Sequence, residues 1–208
     1  MFSTQRSKML LLFLTNKNPI KILNIFNYFN LSILFSEVSL NGILILEVNT
    51  LSEAEKRVIV DCHNKHRSQL AQGQERNKIG FLPKGSNIKQ ITYDNNVERS
   101  AANWASRCTM NHSGGKNGEN LAMTSDPRIS TTCESWWSEC QQKGVQPSLI
   151  FDRNEFAKGI GHCTQMAWAT TSKIGCAVQR CPNSFWKTYT VCQYSPPNDK
   201  IISSLGPR

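Results

Sequence analysis

Several things are missing from this sequence, and each absence closes off a class of protein. No stretch of about 20 apolar residues occurs, so no segment has the length of a membrane-spanning helix. No run of five basic residues occurs either, although the formal charge is +9, from 24 Lys and Arg against 15 Asp and Glu. Cations scattered in this way describe a solvated surface and give no reason to expect nucleic acid as a partner. Cys-x-x-Cys is absent, which leaves a structural zinc site without its usual spacing. His-Glu-x-x-His and Gly-x-Ser-x-Gly are absent too, and with them two common hydrolase signatures. There is no internal repeat and no low-complexity segment.

Cysteine, by contrast, is plentiful. Cys62, Cys108, Cys133, Cys140, Cys163, Cys176, Cys181 and Cys192 form an even set spread through a modest chain. That pattern predicts four disulfides and export to an oxidising compartment. The N-terminus is consistent with export: Arg6 and Lys8 precede the apolar run Met9 to Leu14, the order of a secretory signal. Asn16-Lys17-Asn18-Pro19 interrupts that run, and shorter apolar patches follow at Leu31–Leu40 and Ile43–Leu46. Residues 1–48 are therefore expected to be an N-terminal extension with a possible signal segment, removed or disordered in the mature protein. The domain is expected at 49–197, with a short tail at 198–208. The extension's four basic and two acidic residues carry +2 of the charge, leaving +7 on the remainder.

Within the remainder, Ser52 and Glu55 have capping-box spacing. Val58, Ile59, Cys62, His66 and Leu70 then recur at helical intervals up to Gly73. Residues 74–90 read as a loop, Ile91-Thr92-Tyr93 as a short strand, and Asp94 as the cap of a second helix carrying Val97, Ala101, Trp104, Ala105 and Cys108. A Gly-rich loop spans His112 to Gly118. Thr131 and Glu134 repeat the capping-box spacing and predict a third helix through Trp136, Trp137 and Cys140. A short helix around His162 to Trp168 precedes two β-prone runs, Lys173 to Cys181 and Lys187 to Tyr194, which read as a hairpin. Helices first and strands later indicate an α+β fold.

Short motifs then accumulate in one order: His63-Asn64 with Arg67, Asn111-His112-Ser113, Gly118-Glu119-Asn120, Trp136-Trp137-Ser138-Glu139, Gly161 to Trp168 (GHCTQMAW), and Cys192-Gln193-Tyr194-Ser195-Pro196. By these the chain resembles the CAP superfamily of cysteine-rich secretory, antigen 5 and pathogenesis-related proteins. Trp-Trp-Ser-Glu and Thr-Gln-Met-Ala-Trp are most similar to the venom-allergen-like, Ancylostoma-secreted proteins of parasitic nematodes. The resemblance implies an α-β-α sandwich with a three-stranded antiparallel sheet between helical layers. It also implies a cleft lined by His112, Glu119, Glu139 and His162, with Gln165 one helical turn beyond His162. Two imidazoles and two carboxylates can hold a divalent cation such as zinc; alternatively, each carboxylate orients one imidazole. Two bridges are implied as well, Cys108–Cys181 and Cys176–Cys192. Of the other four cysteines, Cys133 and Cys140 lie seven apart on one helix, about 10 Å, too far to pair. Either Cys62–Cys133 with Cys140–Cys163, or Cys62–Cys140 with Cys133–Cys163, remains open.

The function expected from these readings is that of a secreted, non-enzymatic effector in host–parasite interaction, binding a host protein or a sterol or fatty-acid ligand. Trp136, Trp137, Met166 and Trp168 offer apolar surface for a groove that takes such a ligand, although aromatics at helical spacing more often belong to the core. The alternatives are a metal-dependent hydrolase using the His/Glu tetrad and a structural secreted protein whose cleft is vestigial.

Overall fold

The structure is a computed structural model and describes residues 51–197, apart from 86, 147 and 149, together with residues 11–12 and 22–23. The chain divides into two units, Met1–Glu47 and Val48–Arg208. In the first, β1 (Leu11–Leu12) pairs antiparallel with β2 (Ile22–Leu23). The rest of the expected signal segment and the 198–208 tail lie outside the described residues. No helix among the described residues is long and apolar enough to cross a membrane.

The second unit opens with α1 (Glu53–Gln72), whose ends follow the sequence signals. Ser52 Oγ accepts from Glu55 N, and Glu55 Oε2 accepts from Ser52 N at 2.8 Å. Gly73, at φ 69°, closes the helix in a left-handed turn that a side chain would strain. The buried stripe is Ile59, Cys62, His63, His66, Arg67 and Leu70, and Val58 falls off it, 41 % exposed. Half of that stripe is polar. Arg67 repays its burial with five carbonyl acceptors, those of Lys89, Met166, Trp168, Ala169 and Thr171.

β3 (Thr92–Tyr93) leads into α2 (Asn95–Ala105), capped by Asp94 as expected. The helix stops at Ala105, so Cys108 stands beyond it at φ 50°. β4 (Gly118–Thr124) follows, a strand that local pattern did not predict because its residues do not alternate cleanly. α3 runs Ile129–Lys143, two residues earlier than the start predicted at Thr131. The predicted Thr131/Glu134 box does not form: Glu134 turns instead to His66 Nε2 (3.0 Å) and Lys65 Nζ (3.3 Å). A further short helix absent from the sequence reading, α4 (Arg153–Ala157), is capped by Asp152. α5 (Gly161–Ala167) then precedes β5 (Lys173–Arg180) and β6 (Thr188–Ser195), the expected hairpin.

The strand order is β3-β5-β6-β4. β4, β6 and β5 form the expected antiparallel core of the sheet, and β3 adds a fourth strand, parallel to β5, which makes the sheet mixed. Both faces are covered. Ile174, Cys176, Cys192 and Tyr194 join the core of α1, α3 and α5; Ala177, Tyr189 and Val191 join α2 through Ala101 and Ala105. Alternate residues of each strand thus serve opposite helical layers, which is why β6 is buried nearly throughout. Gly175 belongs to the α2 face, where a Cβ would collide with the Val97–Glu98 backbone. The bridges are Cys62–Cys133, Cys108–Cys181, Cys140–Cys163 and Cys176–Cys192, so the first of the two open pairings is the one formed. Trp136, Trp137, Met166 and Trp168 are all buried in the larger core, the place their helical spacing favoured over a ligand groove.

Candidate functional site

The sheet and α5 face one another across a cleft of about 700 Å³. His112, Glu119, Glu139, His162 and Gln165 all line it. They arrive as two His–Glu pairs on different scaffolds.

The first pair belongs to the sheet. Glu119 is the second residue of β4 and sits directly opposite Gln193 of β6. Gln193 Nε2 donates to Glu119 Oε2 at 2.8 Å, while Ser113 N donates to Oε1 at 2.8 Å. His112 Nδ1 meets the same Oε1 at 3.0 Å. Burial alone would push the Glu119 carboxyl up, but these three donors outweigh it and hold the group at about 2. His112 stays 65 % exposed, and its bond to Glu119 raises its pKa.

The second pair belongs to the helices. Glu139 on α3 and His162 on α5 are brought together by their neighbours, since the Cys140–Cys163 bridge joins the next residue of each. His162 Nδ1 meets Glu139 Oε1 at 2.7 Å. Glu139 Oε2 accepts from the backbone N–H of His162 (3.1 Å) and Cys163 (3.4 Å). The α5 N-cap, Ile160, makes no side-chain bond, so a carboxylate from another helix caps α5. The imidazole also stacks on Trp136, ring centroids 5.6 Å apart.

Asn120 ties the two pairs together. It follows Glu119 in β4, and its Nδ2 donates to the His162 carbonyl (3.1 Å) and to Tyr194 Oη (3.1 Å). Tyr194 in turn bonds His63 Nε2 at 3.0 Å, and His63 Nδ1 bonds the Ile59 carbonyl at 2.8 Å. Burial, helped by the nearby Arg67 and His66, lowers the His63 pKa to about 4, so the chain is satisfied by a neutral imidazole. Asn120, Gln193 and His63 were present in the motifs, but only the β4–β6 register reveals what they hold.

A CAP (cysteine-rich secretory protein family) model matches residues 60–194. The chain belongs to the CAP family. It is 36 % identical over 173 residues to the Ancylostoma secreted protein of Ancylostoma caninum, covering 75 % of this chain and 40 % of that protein. It therefore spans well under half of that relative's length. With venom allergen 5 of Brachyponera chinensis it shares 32 % identity over 161 residues, 70 % of this chain and 80 % of the allergen. Among solved structures it superposes on NaASP2 with Zn2+ at a TM-score of 0.70 and 34 % identity, covering 77 % and 88 % of the two chains.

Within this CAP domain a second cluster, Cys62, His66 and Glu134, brings three potential ligand atoms within 4.8 Å of one another. It is the one such group of three among the described residues. Cys62 is bridged to Cys133, so its sulfur is no thiolate and the group lacks its strongest donor. His66 is instead clamped by two carboxylates, Glu75 on Nδ1 (2.7 Å) and Glu134 on Nε2 (3.0 Å), and stacked on Trp137.

Proposed function

We propose that this protein is a secreted, non-enzymatic CAP-domain binding protein whose cleft takes a divalent cation, zinc foremost, on His112 and His162. One observation carries the reading: both imidazoles present Nδ1 to a carboxylate, which leaves Nε2 of each as the available ligand atom. A carboxylate behind a histidine is the usual outer support of a metal-bound imidazole, fixing its tautomer and raising its basicity. The bound cation would supply Lewis acidity or an anchor for an anionic ligand group. A similar protein, NaASP2, has been solved with Zn2+, which supports zinc as the cation.

A serine hydrolase would need more. Ser113 accepts from Gly115 N (3.3 Å), and among the described residues no serine hydroxyl bonds an imidazole nitrogen. The cleft has an apolar rim in Phe156, 60 % exposed, set edge-on to buried Phe151, which suits a sterol or fatty-acid chain; a host protein is the other partner class. Four bridges and the secreted character in the name of the Ancylostoma relative support export.

Calorimetric titration with zinc tests the site. The wild type is expected to bind the ion, and His112→Ala/His162→Ala to lose it with the fold intact. Equal binding by both proteins would remove the cleft from the account. Peptide or ester turnover lost in the same variant would replace binding by catalysis.

A further inference from the structure

The strongest unexplained feature lies away from the cleft, at the β5–β6 turn. Cys181 to Lys187 form a tight loop closed by Cys181 N to the Lys187 carbonyl (2.7 Å) and by Ser184 N to the Cys181 carbonyl (2.9 Å). Lys187 Nζ folds back on the Pro182 carbonyl at 2.7 Å, and the Cys108–Cys181 bridge fastens the base of the loop. On this rigid mount stand Phe185, 84 % exposed, and Trp186, 49 % exposed, edge to face at 4.9 Å. Large aromatics displayed in water on a braced turn are not explained by packing.

Charge narrows the partner. Residues 99–118 and 173–197 contain no Asp or Glu. Arg180 and Lys187 flank the aromatic pair, and the Cys108 bridge brings Arg107 and half-exposed Met110 beside the same base. Asp126, two residues beyond the β4 end that pairs with Thr188, is neutralised by Arg128 at 2.7 Å. The tip is therefore aromatic in front and cationic behind. We propose that the β5–β6 hairpin tip docks this protein on an anionic phospholipid surface, Phe185 and Trp186 entering the interface while Arg180, Lys187 and Arg107 meet the headgroups.

The physics matches each part. Trp and Phe are favoured at the membrane–water boundary, where one face of the ring is apolar and the surroundings remain wet. Cations held near an anionic leaflet each strengthen binding roughly fivefold at moderate salt. A pre-formed loop binds without first being ordered.

Vesicle co-sedimentation tests this with the full chain. The wild type is expected on phosphatidylcholine vesicles carrying about 30 % phosphatidylserine and not on pure phosphatidylcholine, with binding that weakens as salt rises. Phe185→Ser/Trp186→Ser should weaken it about tenfold or more, and Arg180→Gln/Lys187→Gln should remove the preference for the anionic lipid. Brominated lipid should quench Trp186 in the wild type. His112→Ala/His162→Ala should bind vesicles normally, which separates this surface from the cleft. Wild-type protein indifferent to phosphatidylserine, or an aromatic double variant that binds like wild type, would overturn the proposal. So would self-association lost in that variant without any vesicle binding.

Discussion

His112 and His162 each hold a glutamate on Nδ1 but have different surroundings: the His112 side chain is 65 % exposed, whereas that of His162 leans on Trp136 and is 33 % exposed. At His112 the bond to Glu119 governs the ring's protonation. Its pKa is raised above 6.5, so its share of stability is fully present below 6.5 and is lost as pH rises through the folded value. Glu119 runs the other way: its share is present above 4.5 and is lost as pH falls towards 2. The ion pair is thus complete between those limits, from 4.5 to 6.5. A proton on Nε2 competes with a metal, so zinc affinity should fall as pH drops through the raised value. Proton NMR of the His112 ring should give a midpoint above 6.5 that moves down in Glu119→Gln. An unmoved midpoint would show that the carboxylate does not govern the ring.

Among the elements, α5 is the most dependent on others. It has seven residues, no side-chain cap of its own, and a start held by Glu139 and the Cys140–Cys163 bridge. Cys140→Ser/Cys163→Ser should cost about 2–5 kcal/mol of stability, read by denaturant unfolding. It should also weaken zinc binding more than loss of Cys176–Cys192, which clamps the sheet and touches neither histidine. Comparable losses from the two bridges would detach α5 position from metal affinity. This dependence also explains what could be read in advance. α1 and α2 carry their own caps and periodicity and the hairpin its β-prone runs, so they were legible; β4 is defined by the strand it pairs with, and α4, though capped by Asp152, has only five residues and no periodicity to read. The four cleft residues were legible only through motif resemblance. No local pattern says that Glu119 will face Gln193 or that Glu139 will cap another helix.

Across the whole domain, one buried side chain adds an acid sensitivity that begins at higher pH than that of the carboxylates. His63 titrates at about 4 when folded against 6.5 for the free group. Its contribution is fully present above 6.5 and is lost as pH falls from there towards 4, about 3 kcal/mol in all. Unfolding free energies measured from pH 7 to pH 4 should show that decline, and His63→Gln should flatten it. An identical pH profile in the variant would assign the decline to the carboxylates.

Arg67 has a temporal consequence. Four of its five carbonyl acceptors lie 99 to 104 residues downstream. At a synthesis rate of about 5–20 residues per second, Arg67 is made roughly 5–20 s before those acceptors exist. During that interval the Arg67 guanidinium lacks four of its five acceptors. The domain therefore closes only when the segment after α5 arrives, and a nascent chain halted before that point presents α1 as an open helix face for a chaperone to hold.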